Sequence, residues 1–405
     1  MAMKNTLKKD LRLDLNYMVF IIVAGLVFSV LFHLAQAFVF NLNSYPYNTF
    51  LFDQAYRFTD FNTIYTATAG LDPFKAAVSV YPPFTYLVMF PFTKLSMNVA
   101  LGLMLAGFTL FLLWYVYRTV SGIDPERGYM KTGVLALLSY PFLFTFDRAN
   151  MEVFVFILSA LFIYFYQKKE DWKSVCCLAG AIAMKVYPGA LLLVLLADRK
   201  YKKAFCTLLV GAALTLGSML VLKGGVAASY AGLVHNLEGF RHHYFHNSLG
   251  VQHNLSLFGV MWLAYVFFLH TSAVPETGYF LAMVLLFIAL ALYLVFVEKE
   301  LWRSVTLIVL YFLVAPQVSF DYKMVNLFVP IMLFFGRSSE TRSSLFFASA
   351  FALLCIPKDY FLILDDVSIA VIINPLLILL MMGVLVYQGC RAHRAALTAS
   401  PRGNP

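Results

Sequence analysis

The sequence predicts an all-α polytopic membrane protein, a bundle of about twelve transmembrane helices with a structured first external loop. Three observations lead there. The 405 residues are 61% hydrophobic and 13% charged, with a mean hydropathy of +0.78, whereas soluble domains are roughly half apolar and a quarter charged. The apolar runs are long enough to cross a bilayer core of about 30 Å as helices of about 20 residues. They also lack the alternation, over segments of about ten residues, that marks a membrane β-barrel.

The elements follow in chain order. The first span, Tyr17 to Phe40, follows the basic start "MKNTLKKDLR" and has no small-residue cleavage pattern behind a short apolar core, so it reads as a retained helix. Lys4, Lys8, Lys9 and Arg12 place the N-terminus in the cytoplasm by the positive-inside rule. The clusters "YRTVSGIDPERGYMK", "YQKKEDWK", "ADRKYKK", "VEKELWR", "GRSSETR" and "QGCRAHR" are expected on the same side. Between them the apolar segments fall at 97–117, 131–146, 151–166, 173–185, 187–198, 204–222, 278–297, 302–316, 324–336, 343–357 and 367–388. With the first helix they make about twelve, an even number that returns the basic C-terminus to the cytoplasm.

Pro188 in "MKVYPGA" breaks the pair 173–185 and 187–198 into a hairpin expected to stop short of the far face. Segment 255–270 is apolar, but a full crossing there would put "VEKELWR" outside, so it reads as a re-entrant or surface helix. The whole of 1–405 is then one integral membrane domain, with 41–96 as the first external loop and 223–277 as the second.

The five cysteines, Cys176, Cys177, Cys206, Cys355 and Cys390, lie in apolar spans or at cytoplasmic ends, so no external disulfide framework is written here. No Cys/His metal spacing occurs. The net charge of +9 is accounted for by basic clusters facing anionic lipid, without a nucleic-acid partner.

Ionisable groups at membrane depth are costly, which makes them functional candidates. Asp60 in "RFTDFNTIY" lies between Phe58 and Phe61 and reads either as a general base with a raised pKa or as the N-cap of a helix running through Tyr65 and Ala69. The stretch "GLDPFKAAVSVYPPF" beyond it is a built loop, stiffened by Pro82 and Pro83. In "FTFDRANMEVFVF", Asp147, Arg148, Asn150 and Glu152 crowd between apolar helices, and the planar fork of Arg148 suits a phosphate. Lys185 with Tyr187 at the broken hairpin reads as a phosphate contact or as a snorkelling lysine. "APQVSFDYKMVN" brings Asp321, Tyr322 and Lys323 to a turn on the same face. "EGFRHHYFHNSLGVQHNLS" supplies Arg241, His242, His243, His246, His253 and Asn254, better suited to hydrogen-bonding a sugar or phosphate than to binding a metal.

The order "DF…Y…GxDPF…YPPF", then "DRANME", "KVYP", "NSLGVQHNLS" and "PQVSFDYK" resembles glycosyltransferase family 87, the polyprenyl-phosphate-sugar-dependent mannosyltransferases of the GT-C superfamily, from about Asp53 to Pro330. The late turn departs from the family pattern, with "SFDYK" where relatives often carry Trp-His or His-His.

The resemblance implies a GT-C-like bundle that takes a sugar, such as mannose or another hexose, from a polyprenyl-monophosphate donor in the outer leaflet. The acceptor is then a cell-envelope glycolipid or glycan arriving from the outward aqueous side of a bacterial inner membrane. The family's base, an acid at the membrane end of the first external loop, falls on Asp60. Arg148, Lys185 and Lys323 are the cations for the lipid phosphate; Phe61, Tyr65, Tyr81 and Tyr322 can stack on the sugar. Asn150, Tyr187, Arg241, His253, Asn254 and Asp321 complete the expected substrate contacts, and no metal cofactor is expected, because basic side chains already pair with the leaving phosphate. Two other classes fit parts of this pattern. A polysaccharide polymerase or ligase would use an oligosaccharide on a diphosphate; a lipid-linked sugar transporter or flippase would place its polar groups nearer the midplane.

Overall fold

Helix α1, Ala2–Phe38, starts ahead of the apolar run and carries it to Phe38, where the chain turns away through Asn41 at φ +58°. The computed structural model describes residues 2–75, 80–245, 247–337, 343–364 and 366–399. Two short helices then fold within the segment 41–96. Helix α2, Thr59–Thr68, starts behind Phe58 in the left-handed region, and α3, Pro83–Met89, has Pro83 in its first turn, where a missing N–H costs nothing. Both pack against each other. The segment 41–96 thus holds two short α-helices and two 3-10 turns, Gln54–Tyr56 and Phe90–Lys94, joined by turns, and residues 76–79 of "GLDPFKAAVSVYPPF" lie outside the described residues.

The body follows as α4, Met97–Ile123, then α5, Gly128–Leu137, and α6, Tyr140–Arg148. The single span expected at 131–146 is thus two helices, because Pro141 cannot continue α5 and instead opens α6. Helix α7, Glu152–Gln167, packs along α8, Asp171–Met184, and α8 along α10, Tyr201–Val221. Between α8 and α10 the chain extends at Lys185, makes a 3-10 turn at Tyr187–Leu191 around Pro188, and ends in α9, Leu192–Ala197. Helices α11, Gly225–Tyr244, and α12, Leu257–Leu269, occupy 223–277. The 13 residues of α12 span about 20 Å, less than a bilayer core.

Helices α13, Glu276–Phe296, and α14, Leu301–Val314, lead to a 3-10 turn at Asp321–Leu327 that runs into α15, Phe328–Phe335. Helix α16, Ser344–Leu354, packs on α1. A hairpin of β1, Leu362–Leu364, and β2, Val367–Ser368, takes the start of the span expected at 367–388, and α17, Ala370–Ala399, carries the rest.

The protein is thus all-α apart from this small hairpin. Among the described residues five helical stretches are long and apolar enough to cross a membrane: Leu7–Phe38, Met97–Ile123, Tyr201–Val221, Glu276–Phe296 and Ala370–Thr398. The remaining apolar helices are shorter and more deeply packed. Helices α14 and α15 are buried along nearly their whole length in the main core.

Several of the basic clusters are tied into the bundle by ion pairs among the described residues. Arg12 donates to Asp124 at 2.7 Å, Lys131 to Asp124, Arg337 to Asp14 at 3.0 Å, Lys203 pairs with Asp171, and Arg303 with Glu298 at 3.0 Å. The Asp14–Arg337 pair is buried, and the guanidinium also lies over the ring of Phe334. Removing one member of such a pair strands the other charge, at a cost of about 3–5 kcal/mol. Asp14→Leu alone is therefore expected to lower the thermal midpoint in detergent strongly, and Asp14→Leu with Arg337→Met to recover most of it. A double variant no better than the single one would show that the pair is not what holds α1 in place.

Candidate active site

The site begins at the end of α6. Ala149 adopts φ +47°, which stops the helix directly after Arg148, and its methyl is packed into a second core with Phe61, Tyr86 and Met151. Asn150 follows, and its Oδ1 accepts from the backbone N–H of Glu152, the first residue of α7, at 2.9 Å. The break leaves Arg148 and Asn150 side by side facing α2. Arg148 Nη2 donates to Asp60 Oδ1 at 2.5 Å and Nε to Oδ2 at 3.4 Å, while Asn150 Nδ2 donates to Asp60 Oδ2 at 2.8 Å. Asp60 is thus not a cap. Phe58 holds the N-terminal position of α2 without a side-chain hydrogen bond, and the Asp60 carboxylate, 19% exposed, is held by two side chains from the α6–α7 junction.

A buried carboxylate organises the next layer. Glu152 is fully buried and meets Lys185 Nζ at 2.7 Å, the hydroxyl of Tyr187, and Asn326 Nδ2 at 2.7 Å. Lys185 also donates to Asn150 Oδ1 at 3.2 Å and lies 5.3 Å and 5.1 Å from the ring centres of Tyr81 and Tyr322. Tyr81 accepts from Asn150 at 2.9 Å, so Asn150 joins the Asp60 layer to the Glu152 layer. Lys323 sits 5.2 Å from the ring centre of Tyr187, bonded to the carbonyl of Val318 at 3.4 Å. Among the described residues no carboxylate lies within ion-pair distance of it.

The phosphate cations expected from the sequence therefore divide. Arg148 is engaged with Asp60, Lys185 with Glu152, and Lys323 with no acid. Asp147 turns away from Arg148 and pairs with Arg57 at 3.3 Å.

Phe52 separates this site from a second polar cluster. Its ring carries the Arg148 guanidinium at 4.1 Å and approaches the ring of His253 at 5.7 Å. His253, at φ +49°, shares a 2.8 Å hydrogen bond between Nε2 and the Tyr45 hydroxyl. Its Nδ1 lies 3.8 Å from Asp321 Oδ2, which accepts from the Tyr140 hydroxyl at 2.5 Å. Burial pushes Asp321 up to about 8, with Asp359 adding and the Tyr140 hydrogen bond and Lys358 opposing. Burial also lowers the pKa of His253.

Several expected contacts are not part of either cluster. Phe61 is fully buried in the second core and its ring is not presented for stacking, and the partly buried Tyr65 gives its hydroxyl to the carbonyl of Leu95 at 2.6 Å. Arg241 pairs with Glu276 at 2.7 Å on the outside of α11. Asn254 is a structural lock. Its Nδ2 donates to the carbonyls of Gly250 and Gln317, and its Oδ1 accepts from the N–H groups of Ser256 and Ser319, which ties the segment before α12 to the one after α14 and leaves no amide group for a substrate. Asp53 caps the turn at Gln54–Tyr56. Among the described residues no three His, Cys, Asp or Glu side chains converge as a metal site; His246 lies outside those residues.

Beside Tyr187 a cavity of about 480 Å³ runs between the 3-10 turn, α13 and α14, lined by apolar residues including Val186, Phe280, Met283 and Phe312. It brings apolar space to the tyrosine that touches Glu152 and Lys323.

The model of glycosyltransferase family 87 matches residues 80–319, more than half of the chain. The chain belongs to glycosyltransferase family 87. No curated protein and no solved structure matches it. The match takes in the α6–α7 junction, the Lys185 turn and His253 of this membrane glycosyltransferase; Asp60, Asp321 and Lys323 lie outside it.

Glu152, Asn326 and Phe52 join this candidate site of the glycosyltransferase without having been assigned a role from the sequence. Asn326 stands three residues after Lys323, which in a 3-10 turn puts both on one side. That spacing was the available signal. Phe52 had none.

The raised pKa of Asp321 has a sign that can be tested. The folded state holds this proton more tightly than the unfolded chain, so the stability it contributes is full below 3.8 and is lost as pH rises toward about 8. Asp321→Asn still accepts from Tyr140 but carries no charge. Its thermal midpoint in detergent is expected to fall less than that of the unmodified protein between about pH 5 and pH 8.5. Parallel curves would show that Asp321 does not titrate in this window.

Proposed function

We propose that this bundle, crossing the membrane about twelve times with both termini in the cytoplasm, transfers a single hexose such as mannose from a polyprenyl-monophosphate donor. The acceptor is a cell-envelope glycolipid or polysaccharide on the outward face. The observation that carries this reading is that Tyr187 both lines the apolar cavity and lies beside the Lys323 ammonium. A donor with a long apolar tail and a phosphate head requires that juxtaposition. Lys323, with no acid partner, and Lys185 take the phosphate there.

Asp60 then acts as the general base. The acceptor hydroxyl gives its proton to the Asp60 carboxylate as its oxygen bonds to the anomeric carbon. The bond from that carbon to the phosphate oxygen breaks, and the electron pair leaves with the polyprenyl phosphate, whose charge the two lysines offset. Arg148 and Asn150 hold the carboxylate in place rather than binding the donor directly. Tyr81 and Tyr322 flank Lys185 and border the sugar.

Purified protein incubated with a panel of polyprenyl-monophosphate sugars, with loss of each followed by mass spectrometry, tests the donor. Consumption of an oligosaccharide diphosphate instead would assign the chain to a polymerase or ligase. Asp60→Asn keeps the shape and is expected to retain donor binding while transfer falls about a hundredfold or more. A wild-type rate in this variant at saturating substrates would remove Asp60 as the base. Lys323→Ala is expected to weaken donor binding, and unchanged affinity there would displace the phosphate from this position.

A further inference from the structure

The bundle has a second cavity. It measures about 430 Å³ and lies between the N-terminal part of α1 and the C-terminal ends of α4, α7 and α15, a size within the range of small-molecule sites. Helix α7 separates it from the candidate active site. Glu152 starts that helix and Gln167, which lines this cavity, ends it; 16 residues rise about 24 Å.

Charge distinguishes this cavity from its surroundings. Arg12 and Lys131 both engage Asp124, and Arg337 engages Asp14. Lys8 and Arg118, which line the cavity, have no carboxylate within ion-pair distance among the described residues. Arg118 is instead placed by aromatic rings, its guanidinium 4.1 Å from the ring centre of Tyr164 and 5.4 Å from that of Trp114. Stacking fixes the plane of the group and leaves its N–H edge available for the two-point contact that suits a phosphate. Thr119 and Gln167 add neutral hydrogen-bonding groups in the same walls. Lys168, whose ammonium lies 4.6 Å from the Tyr164 ring centre, adds a third positive charge close by.

We propose that this cavity is a second, non-catalytic site for a phosphate group, and that Arg118 and Lys8 are its cationic contacts. A phosphodiester headgroup of an anionic membrane lipid and free inorganic phosphate both carry that group. The setting, beside the N-terminal part of the long apolar helix α1 and among basic residues of the kind that meet anionic leaflets, matches the lipid source.

The test is native mass spectrometry of the full-length protein released from micelles containing phosphatidylglycerol and phosphatidylcholine in equal amounts. The unmodified protein is expected to retain phosphatidylglycerol preferentially. Arg118→Gln and Lys8→Gln are each expected to lower that retention about fivefold. Lys202→Gln, which removes the same charge from the exposed start of α10, is expected to leave it unchanged. Both Arg118 and Lys8 are exposed, so unaltered thermal midpoints are expected and report that the variants fold. Inorganic phosphate added at millimolar concentration distinguishes the sources. Displacement of the lipid assigns the site to a soluble phosphate, and its persistence assigns the site to the headgroup. Equal retention in the Arg118→Gln/Lys8→Gln double variant and the unmodified protein, or an equal loss in Lys202→Gln, would overturn the proposal.

Discussion

A charge carried into an apolar bundle has to meet its opposite there, because neither lipid nor packed side chains replace the water it leaves. This protein meets that constraint pair by pair: Asp14 with Arg337, Asp124 with Lys131, Glu298 with Arg303, and Glu152 with Lys185. The rule makes its exceptions informative. Among the described residues the buried Lys323 and Lys358 have no acid within ion-pair distance, whereas Lys8 and Arg118, which line a cavity at the other end, are exposed and keep their water.

The arrangement around Asp60 depends on one backbone event. A left-handed residue at Ala149 ends α6 and lets α7 restart within three residues, so consecutive side chains serve different partners. Arg148 turns to Asp60, Asn150 bridges Asp60, Tyr81 and Lys185, and Glu152 points into the core toward Lys185, Tyr187 and Asn326. A continuous helix would have spread these residues around its circumference at 3.6 residues per turn. Packing of the Ala149 methyl in the second core supports the unusual φ from outside the site.

Much of this was legible in the residues before folding, for identifiable reasons. Long apolar runs announced α7, α10 and α13 to within a few positions, and the start of α4, because length and hydropathy are properties of a segment alone. The juxtaposition of Asp60, Arg148, Asn150 and Lys185 was visible only as polar residues that the membrane would not tolerate singly. Which charge neutralises which was not visible. The pairing of Arg148 with Asp60, of Arg241 with Glu276, and of Lys185 with Glu152 joins residues 88, 35 and 33 positions apart. Asn254 misled for a related reason. An amide carries both donors and acceptors, so the same side chain serves a sugar or a backbone, and here it binds four backbone groups.

The cavity beside Tyr187 has a consequence for how occupancy is governed. Val186, Phe280 and Val284, three of its lining residues, are exposed on the flank of the bundle. A molecule that enters past them arrives by lateral diffusion in the bilayer plane. Its effective concentration is a mole fraction of one leaflet and not a molarity in the surrounding solution. Added bulk lipid or detergent therefore acts on this cavity as a diluent, while the volume of buffer around the membrane does not enter the balance.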